Sequence, residues 1–206
     1  MLLAAVSAAL WQPAQEEEQQ SPKAVALLLV DFEQFFDTIR PERLYKKMRV
    51  ASVPMELVSL LRELCATHYA KVRFKSETSS KIKVQVGVPQ GSGWSPELAS
   101  LYVDVGLADK LIEHSEGLVQ IGGLDMKLLM YADDLVVANK TQTGVQQQFG
   151  KIENCAEEDG IRVSYKKTQL VVFRGLGAAE EAWVIQGRRG DIRENGDGCV
   201  KYLVFF

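Results

Sequence analysis

The chain is short of positive charge. Its 206 residues hold 24 lysines and arginines against 27 aspartates and glutamates, a net charge of −3. The chain as a whole therefore lacks the basic surface with which a protein usually grips a polyanion. Histidine is scarce: His68 and His114 each stand alone. The three cysteines, Cys65, Cys155 and Cys199, are far apart and show no CxxC or Cys/His spacing. Neither a zinc site nor a disulfide framework is indicated, and reduced thiols suit a nuclear or cytosolic compartment. Long apolar runs are also missing. The uncharged stretch 1–11 is far shorter than the ~20 residues of a membrane span and lacks the positive flank of a signal peptide, so no membrane partner is expected. Residues 15–21 are polar and acidic and suit a linker. Residues 1–23 are thus expected to stand apart from a domain over 24–206.

What is present is an ordinary globular composition, 47% hydrophobic and 25% charged. Residues 24–30 are a continuous apolar run of strand length, as in a strand buried on both faces, and they end at Asp31. Pro41 and Pro54 each open a predicted helix, the second with Leu57, Leu60, Leu61 and Leu64 on one face. Residues 70–74 and 81–86 are predicted strands around a polar turn at 77–80. A glycine-rich loop, 87–93, precedes a helix with Ser95 as N-cap and Pro96 at its first position, carrying Leu98, Leu101, Tyr102, Val105 and Ile112. Residues 126–130 and 135–138 form a predicted hairpin with Asp133 and Asp134 in its turn. A helix over 143–159 is stopped by Gly160, and 170–173 is a strand. Residues 175–198 carry no clear assignment, and 201–206 are strand-like. The order lacks clean βαβ alternation and predicts an α+β domain, helices on one face of an antiparallel sheet.

The carboxylates carry the chemistry. Asp31 ends a buried strand, and Asp133 and Asp134 sit at a hairpin turn. If the strands are neighbours, three carboxylates meet at one sheet edge, which is costly without a cation among them. Hard oxygen ligands suit Mg²⁺ or Mn²⁺. Two such ions ~3.5–4 Å apart can clamp an in-line phosphoryl displacement. An Asp-Asp pair alone is also an ordinary polar turn.

The surrounding motifs go further. Residues 28–37, LLVDFEQFFD, then 87–92, GVPQGS, with Ser95-Pro96 and Leu101-Tyr102, then 131–134, YADD, then 160–164, GIRVS, with Lys167-Thr168, and finally Lys201-Tyr202-Leu203, occur in one order. Together they resemble the five palm motifs of reverse transcriptases, most closely those of non-LTR retrotransposons and group II introns. The resemblance implies a polymerase palm with a ferredoxin-like antiparallel sheet and helices on one face. It implies RNA-templated DNA synthesis, with an RNA template, a DNA primer, deoxynucleoside triphosphates and two Mg²⁺ ions (Mn²⁺ as alternative) as partners. By the same resemblance Asp31, Asp133 and Asp134 are the catalytic carboxylates and metal ligands. Lys167 is the proton donor to the leaving pyrophosphate. Phe32 and Tyr131 border the substrate, Phe36 lies under the sugar, and Gln90 and Gly91 line the nucleotide pocket. Tyr202 and Leu203 support the primer strand. Phe35 departs from the family pattern by standing where a small residue is usual, which implies a crowded pocket floor. The basic fingers and thumb of the family are expected to be largely missing. The alternative is a retained palm that binds nucleic acid or a partner without catalysis.

Overall fold

The computed structural model describes residues 24–88, 93–112, 117–121, 124–126, 128–131, 133–175, 178 and 180–196. The apolar run Ala24–Val30 forms β1, at the centre of a four-stranded antiparallel sheet. On one side it pairs with β10 (Gln169–Arg174), on the other with β9 (Asp134–Asn139), which in turn pairs with β8 (Leu129–Tyr131). Taken in chain order within that sheet, the strands lie four-one-three-two, the antiparallel ferredoxin-like arrangement expected.

Period-two alternation divides β1 between two cores. Ala26, Leu28 and Val30 face the helical core, while Val25, Leu27 and Leu29 join Val119, Met126, Val136, Ala138 and Val171 on the opposite face. The helices cover one face as expected. The other face is closed by a small ribbon, β6 (Val119–Ile121) with β7 (Leu124–Met126), which accounts for a central strand buried on both sides. Met126 therefore belongs to this ribbon, and the hairpin carrying the aspartates begins later, at Leu129.

Among the described residues five helices connect the strands: α1 (Phe35–Thr38), α2 (Pro41–Val50), α3 (Met55–Ala66), α4 (Ser95–Ile112) and α5 (Gln142–Asp159). The start of α5 is capped by Thr141, whose hydroxyl accepts the Gly144 N–H at 3.0 Å. It ends at Gly160, whose φ of +73° is the left-handed conformation glycine adopts without strain.

Four expectations are corrected. Ser95 is the first helical residue, and the Leu98 N–H bonds to the Trp94 carbonyl at 3.2 Å, so Trp94 takes the cap position. The α4 helix breaks at Val105 and Gly106, where φ reaches +93°, and the freed Val105 carbonyl accepts from Lys47 Nζ at 2.7 Å. In α3 only Val58 and Leu61 are buried, whereas Leu57, Leu60 and Leu64 face outward. That helix packs along one narrow stripe, so a four-leucine face exceeds what its neighbours cover. The pair of strands around 70–86 is broken into β2 (Tyr69–Ala70) with β5 (Ile82–Lys83) and β3 (Arg73–Phe74) with β4 (Glu77–Thr78). Between them Ser79 Oγ takes the Val72 N–H at 2.9 Å, interrupting the ladder, and the turn lies at 75–76 instead of 77–80.

Residues 175–198 hold an unforeseen ribbon, β11 (Val184–Gly187) with β12 (Gly190–Arg193), docked against α5. No helix among the described residues is long and apolar enough to cross a membrane.

Candidate active site

Asp31 follows the last residue of β1, where the sheet hands the chain to α1. The pairing of Val30 with Leu135 and of Tyr131 with Asp134 brings the end of β1 level with the β8–β9 hairpin. Asp133 lies in a turn, and Asp134 is the first residue of β9, one step beyond the turn position expected for it. The three carboxylates therefore share one sheet edge.

The main chain of Asp31 is held from the far side by the segment after α5. Ser164 N–H donates to the Asp31 carbonyl at 2.8 Å, and the Asp31 N–H donates to Thr168 Oγ1 at 3.3 Å. Phe32 bridges Val163, and the Glu33 N–H bonds to the Arg162 carbonyl at 2.8 Å. Ser164 and Thr168 are themselves buried. Their role as clamps on Asp31 was not anticipated, because the contact spans more than a hundred residues and leaves no local pattern.

The Asp31 side chain is the electrostatic centre. Burial pushes its carboxyl above the usual carboxylate range, the Lys167 ammonium partly offsets that, and Asp133 raises it further. Lys167 Nζ stands 3.5 Å from Oδ1, close enough for charge attraction but too long for a strong hydrogen bond. Oδ1 is buried with no hydrogen-bond partner. A desolvated carboxylate oxygen next to a second carboxylate, already drawing the Lys167 ammonium to 3.5 Å, has the chemistry of a cation ligand. Among the described residues no group of three His, Cys, Asp or Glu side chains is assembled as a metal cluster. Water and substrate phosphate would complete the shell, as Mg²⁺ commonly requires.

The aromatic residues after Asp31 separate into two kinds. Phe32 and Phe35 are buried, their rings 5.5 Å apart, and Phe35 also packs edge-on to Phe36 and Tyr102. Phe35 thus fills the core beneath Phe36. Phe36 is half-buried, and its carbonyl accepts the Val88 N–H at 2.9 Å. Gly87 bonds in the same way to Ile39 at 2.8 Å with φ +96°. A Cβ there would lie 3.1 Å from both Asp37 Cα and the Phe36 carbonyl, so the glycine is required for this close approach. These bonds pin the start of the 87–93 loop to the chain after Asp31. Gln90 and Gly91 of that loop, and Tyr202 and Leu203, lie outside the described residues. Tyr131 contributes its backbone to β8.

A second feature was missed by sequence reasoning. A cleft of about 540 Å³ beside this segment is lined by Arg40, Arg162, Arg188 and Arg189, together with Tyr165 and Glu153. Its arginines are scattered over the sequence, and no local signal joins them.

Comparison with known proteins agrees with this geometry. The chain is 23% identical over 158 residues to a Pol polyprotein of the type-1 retrotransposable element R2 from Nasonia vitripennis, covering 77% of this chain and 15% of the relative. It is 27% identical over 151 residues to the RNA-directed DNA polymerase of the mobile element jockey from Drosophila melanogaster, covering 70% of this chain and 16% of the relative. The chain thus spans about a sixth of the length of these curated relatives. A solved telomerase from Candida tropicalis, in complex with a fragment of telomeric RNA, superposes with a TM-score of 0.62 at 13% identity over 87% of this chain and 29% of that one. The apo telomerase truncated from its C-terminal domain gives 0.54 at 14% identity, over 82% and 34% of the two chains. The fold is therefore similar to that of part of these telomerase chains. The family model of reverse transcriptases (RNA-dependent DNA polymerases) matches residues 4–205, and the chain belongs to that family.

Proposed function

We propose that this domain adds deoxynucleoside monophosphates to the 3′ end of a DNA primer paired with an RNA template. The observation that carries the reading is the buried Asp31 Oδ1, faced by the Lys167 ammonium at 3.5 Å, at the sheet edge that residue shares with Asp133 and Asp134. Reverse transcriptase domains generally use divalent metal ions. In this chain Asp31, Asp133 and Asp134 would hold two Mg²⁺ ions, or Mn²⁺ in their place. The ions would supply Lewis-acid stabilisation of the charge that develops on the attacking and leaving oxygens.

The remaining work falls to the protein's own groups. Ser164 and Thr168 fix the main chain of Asp31, so the carboxylate is positioned before substrate arrives. Lys167, with a mostly exposed side chain 3.5 Å from that carboxylate, can deliver a proton to the departing pyrophosphate. Phe36 is backed by Phe35 and tied to Val88, so its ring resists displacement. A ring held there collides with a 2′-hydroxyl and selects deoxynucleotides. Gln90 and Gly91 would line the nucleotide pocket, and Tyr202 and Leu203 would support the primer.

Primer extension on an RNA template with Mg²⁺ or Mn²⁺ tests this reading. The expected result is extension by the wild type and a loss of roughly a thousandfold or more in Asp133→Asn, since several kcal/mol of charge stabilisation disappear. Phe36→Ala is expected to admit ribonucleotides. A folded wild type that binds RNA but never extends a primer would overturn catalysis and leave a retained palm that binds nucleic acid.

A further inference from the structure

The segment from Tyr69 to Lys83 stands apart from the rest of the molecule. It forms the paired ribbons β2–β5 and β3–β4, and nearly every residue in it is exposed. Between residues 71 and 83 it carries five basic residues, Lys71, Arg73, Lys75, Lys81 and Lys83, against one acidic residue, Glu77. None of the five makes an ion pair among the described residues, although the chain as a whole is acidic. Like charge concentrated on a thin ribbon raises the local positive potential and attracts a polyanion.

Aromatic rings are interleaved with these cations. Phe74 is 70% and Tyr69 50% exposed. Lys75 Nζ lies 5.5 Å from the Phe74 ring centre and Lys81 Nζ 5.9 Å from that of Tyr69. Tyr69 and Lys83 are direct cross-strand partners. Flat, exposed rings flanked by cations match the chemistry of a single nucleic-acid strand, whose bases stack and whose phosphates pair.

Position adds the last step. The ribbon returns through residues 84–86 to Gly87 and Val88, which bond to Ile39 and Phe36. The base of the arm is therefore fastened to the chain that leads from Asp31.

We infer that the arm 69–83 grips single-stranded nucleic acid, with its lysines and arginines on phosphates and with Tyr69 and Phe74 stacked on bases. The inference rests on the proposed polymerase reading for the site towards which the strand is led. Binding itself requires neither metal nor nucleotide.

Fluorescence anisotropy with a labelled single-stranded RNA, titrated over a range of salt without metal, tests the arm. Replacing Lys71, Arg73, Lys81 and Lys83 together by Gln is expected to make the log–log salt slope shallower by about 3. Tyr69→Ala and Phe74→Ala are each expected to weaken binding by about fivefold to 150-fold. Lys46→Gln with Arg49→Gln, on the exposed side of α2, is expected to change neither. Unchanged RNA binding in the four-fold variant would overturn the inference. So would loss of binding to phosphatidylserine vesicles with RNA binding intact, which would mark a membrane-facing arm. Ultraviolet crosslinking of the wild type to the same RNA guards against misfolded variants: crosslinks are expected on Tyr69 or Phe74, and their absence from 69–83 would overturn the grip. Intact arm-dependent binding without primer extension would sink the polymerase and leave the arm.

Discussion

The ribbon Val184–Arg193 and the arm Tyr69–Lys83 are built from similar material: short strands, several lysines or arginines and few apolar residues. An isolated two-stranded ribbon is marginal in water, so each needs a reason to persist. The first finds it in the protein. Ile185 and Ile192 are cross-strand partners and both are buried. Gln146 exchanges two hydrogen bonds with the Gln186 backbone, each at 2.7 Å, and Gln142 donates to the Val184 carbonyl at 2.9 Å. Two of its three arginines are also paired internally, Arg188 with Glu157 and Asn154 and Arg189 facing Glu33 at 3.8 Å, while Arg193 is exposed and makes no ion pair among the described residues. The arm has no equivalent. Its aromatic and aliphatic side chains are exposed and its cations have no carboxylate partners among the described residues. The same kind of element is structural where an inward isoleucine pair and internal ion pairs exist, and is left available to a ligand where they do not.

The sharpest break of that contrast comes from the isoleucines. Ile192→Ala removes a buried side chain from a packed pair and is expected to cost about 2–5 kcal/mol. Ile82→Ala in the arm, where the side chain is 51% exposed, is expected to stay within about 0.5 kcal/mol. Chemical denaturation of both variants measures the gap, and equal losses would mean that the arm is packed against something after all.

Next in size is the ion pair that anchors the docked ribbon. Glu194 accepts from Arg174 Nη2 at 2.7 Å and from the Trp183 N–H at 3.0 Å, in a site where both charged side chains are largely covered. Glu194→Gln is expected to cost about 1–3 kcal/mol at neutral pH. Its hydrogen bonds hold the Glu194 carboxyl below the ordinary value of 4.5, Arg174 first among them. The folded state thus favours the ionised form, so this stabilisation is present above pH 4.5 and is lost as pH falls through the lowered value. The difference between wild type and variant should shrink below that pH. A constant gap would assign the effect to shape and not to charge.

Much of this frame was legible in the sequence. The run 24–30 announced a doubly buried strand, and Gly160 announced the end of a helix. The five ordered motifs indicated which carboxylates would share an edge. What escaped depends on partners far along the chain. The break at Val105 and Gly106 is stabilised by Lys47, from another helix. The clamps Ser164 and Thr168 act on Asp31 across the sheet. The docked ribbon shows only two inward residues among glycines and charges, too few for a periodic signal. The outward leucines of α3 failed for the converse reason: helical periodicity reports a face, not whether a neighbour covers it.

The candidate site sets the docked and free regions in a third light, because there stability and the proposed function oppose each other. Burial raises the Asp31 carboxyl above 3.8, and Asp133 adds to it. A raised carboxylate makes the folded state bind its proton more tightly, so stability falls as pH rises from 3.8 through the raised value and stays reduced at neutral pH. Without metal, Asp31→Asn is therefore expected to melt at a higher temperature than the wild type at pH 7, the reverse of Ile192→Ala. Adding Mg²⁺ should raise the wild-type stability by about 1.4 kcal/mol at ten times its dissociation constant and leave the variant unmoved. Differential scanning calorimetry with and without Mg²⁺ decides the matter, and equal responses in both proteins would remove Asp31 from the metal site.

The smallest expected effect isolates the arm from everything else. Phe74 sits at the paired tip of β3–β4 with most of its ring in water, and among the described residues its ring is faced by the Lys75 ammonium at 5.5 Å. Truncating it removes little buried area, so Phe74→Ala should shift global stability by no more than about 0.5 kcal/mol. The backbone amides of residues 69–83 should likewise exchange with solvent well before those of β1 or of the docked ribbon, since their pairs lack covering side chains. Hydrogen exchange on wild type and Phe74→Ala, each alone and with single-stranded RNA, separates the two uses of a ribbon. Protection gained by 69–83 in the wild type on adding RNA, and diminished in the variant, would mean that the nucleic acid supplies the packing that Ile185 and Ile192 supply elsewhere. Strong protection without RNA would mean that the arm is already stabilised from within, and its cations and rings would then need a different explanation.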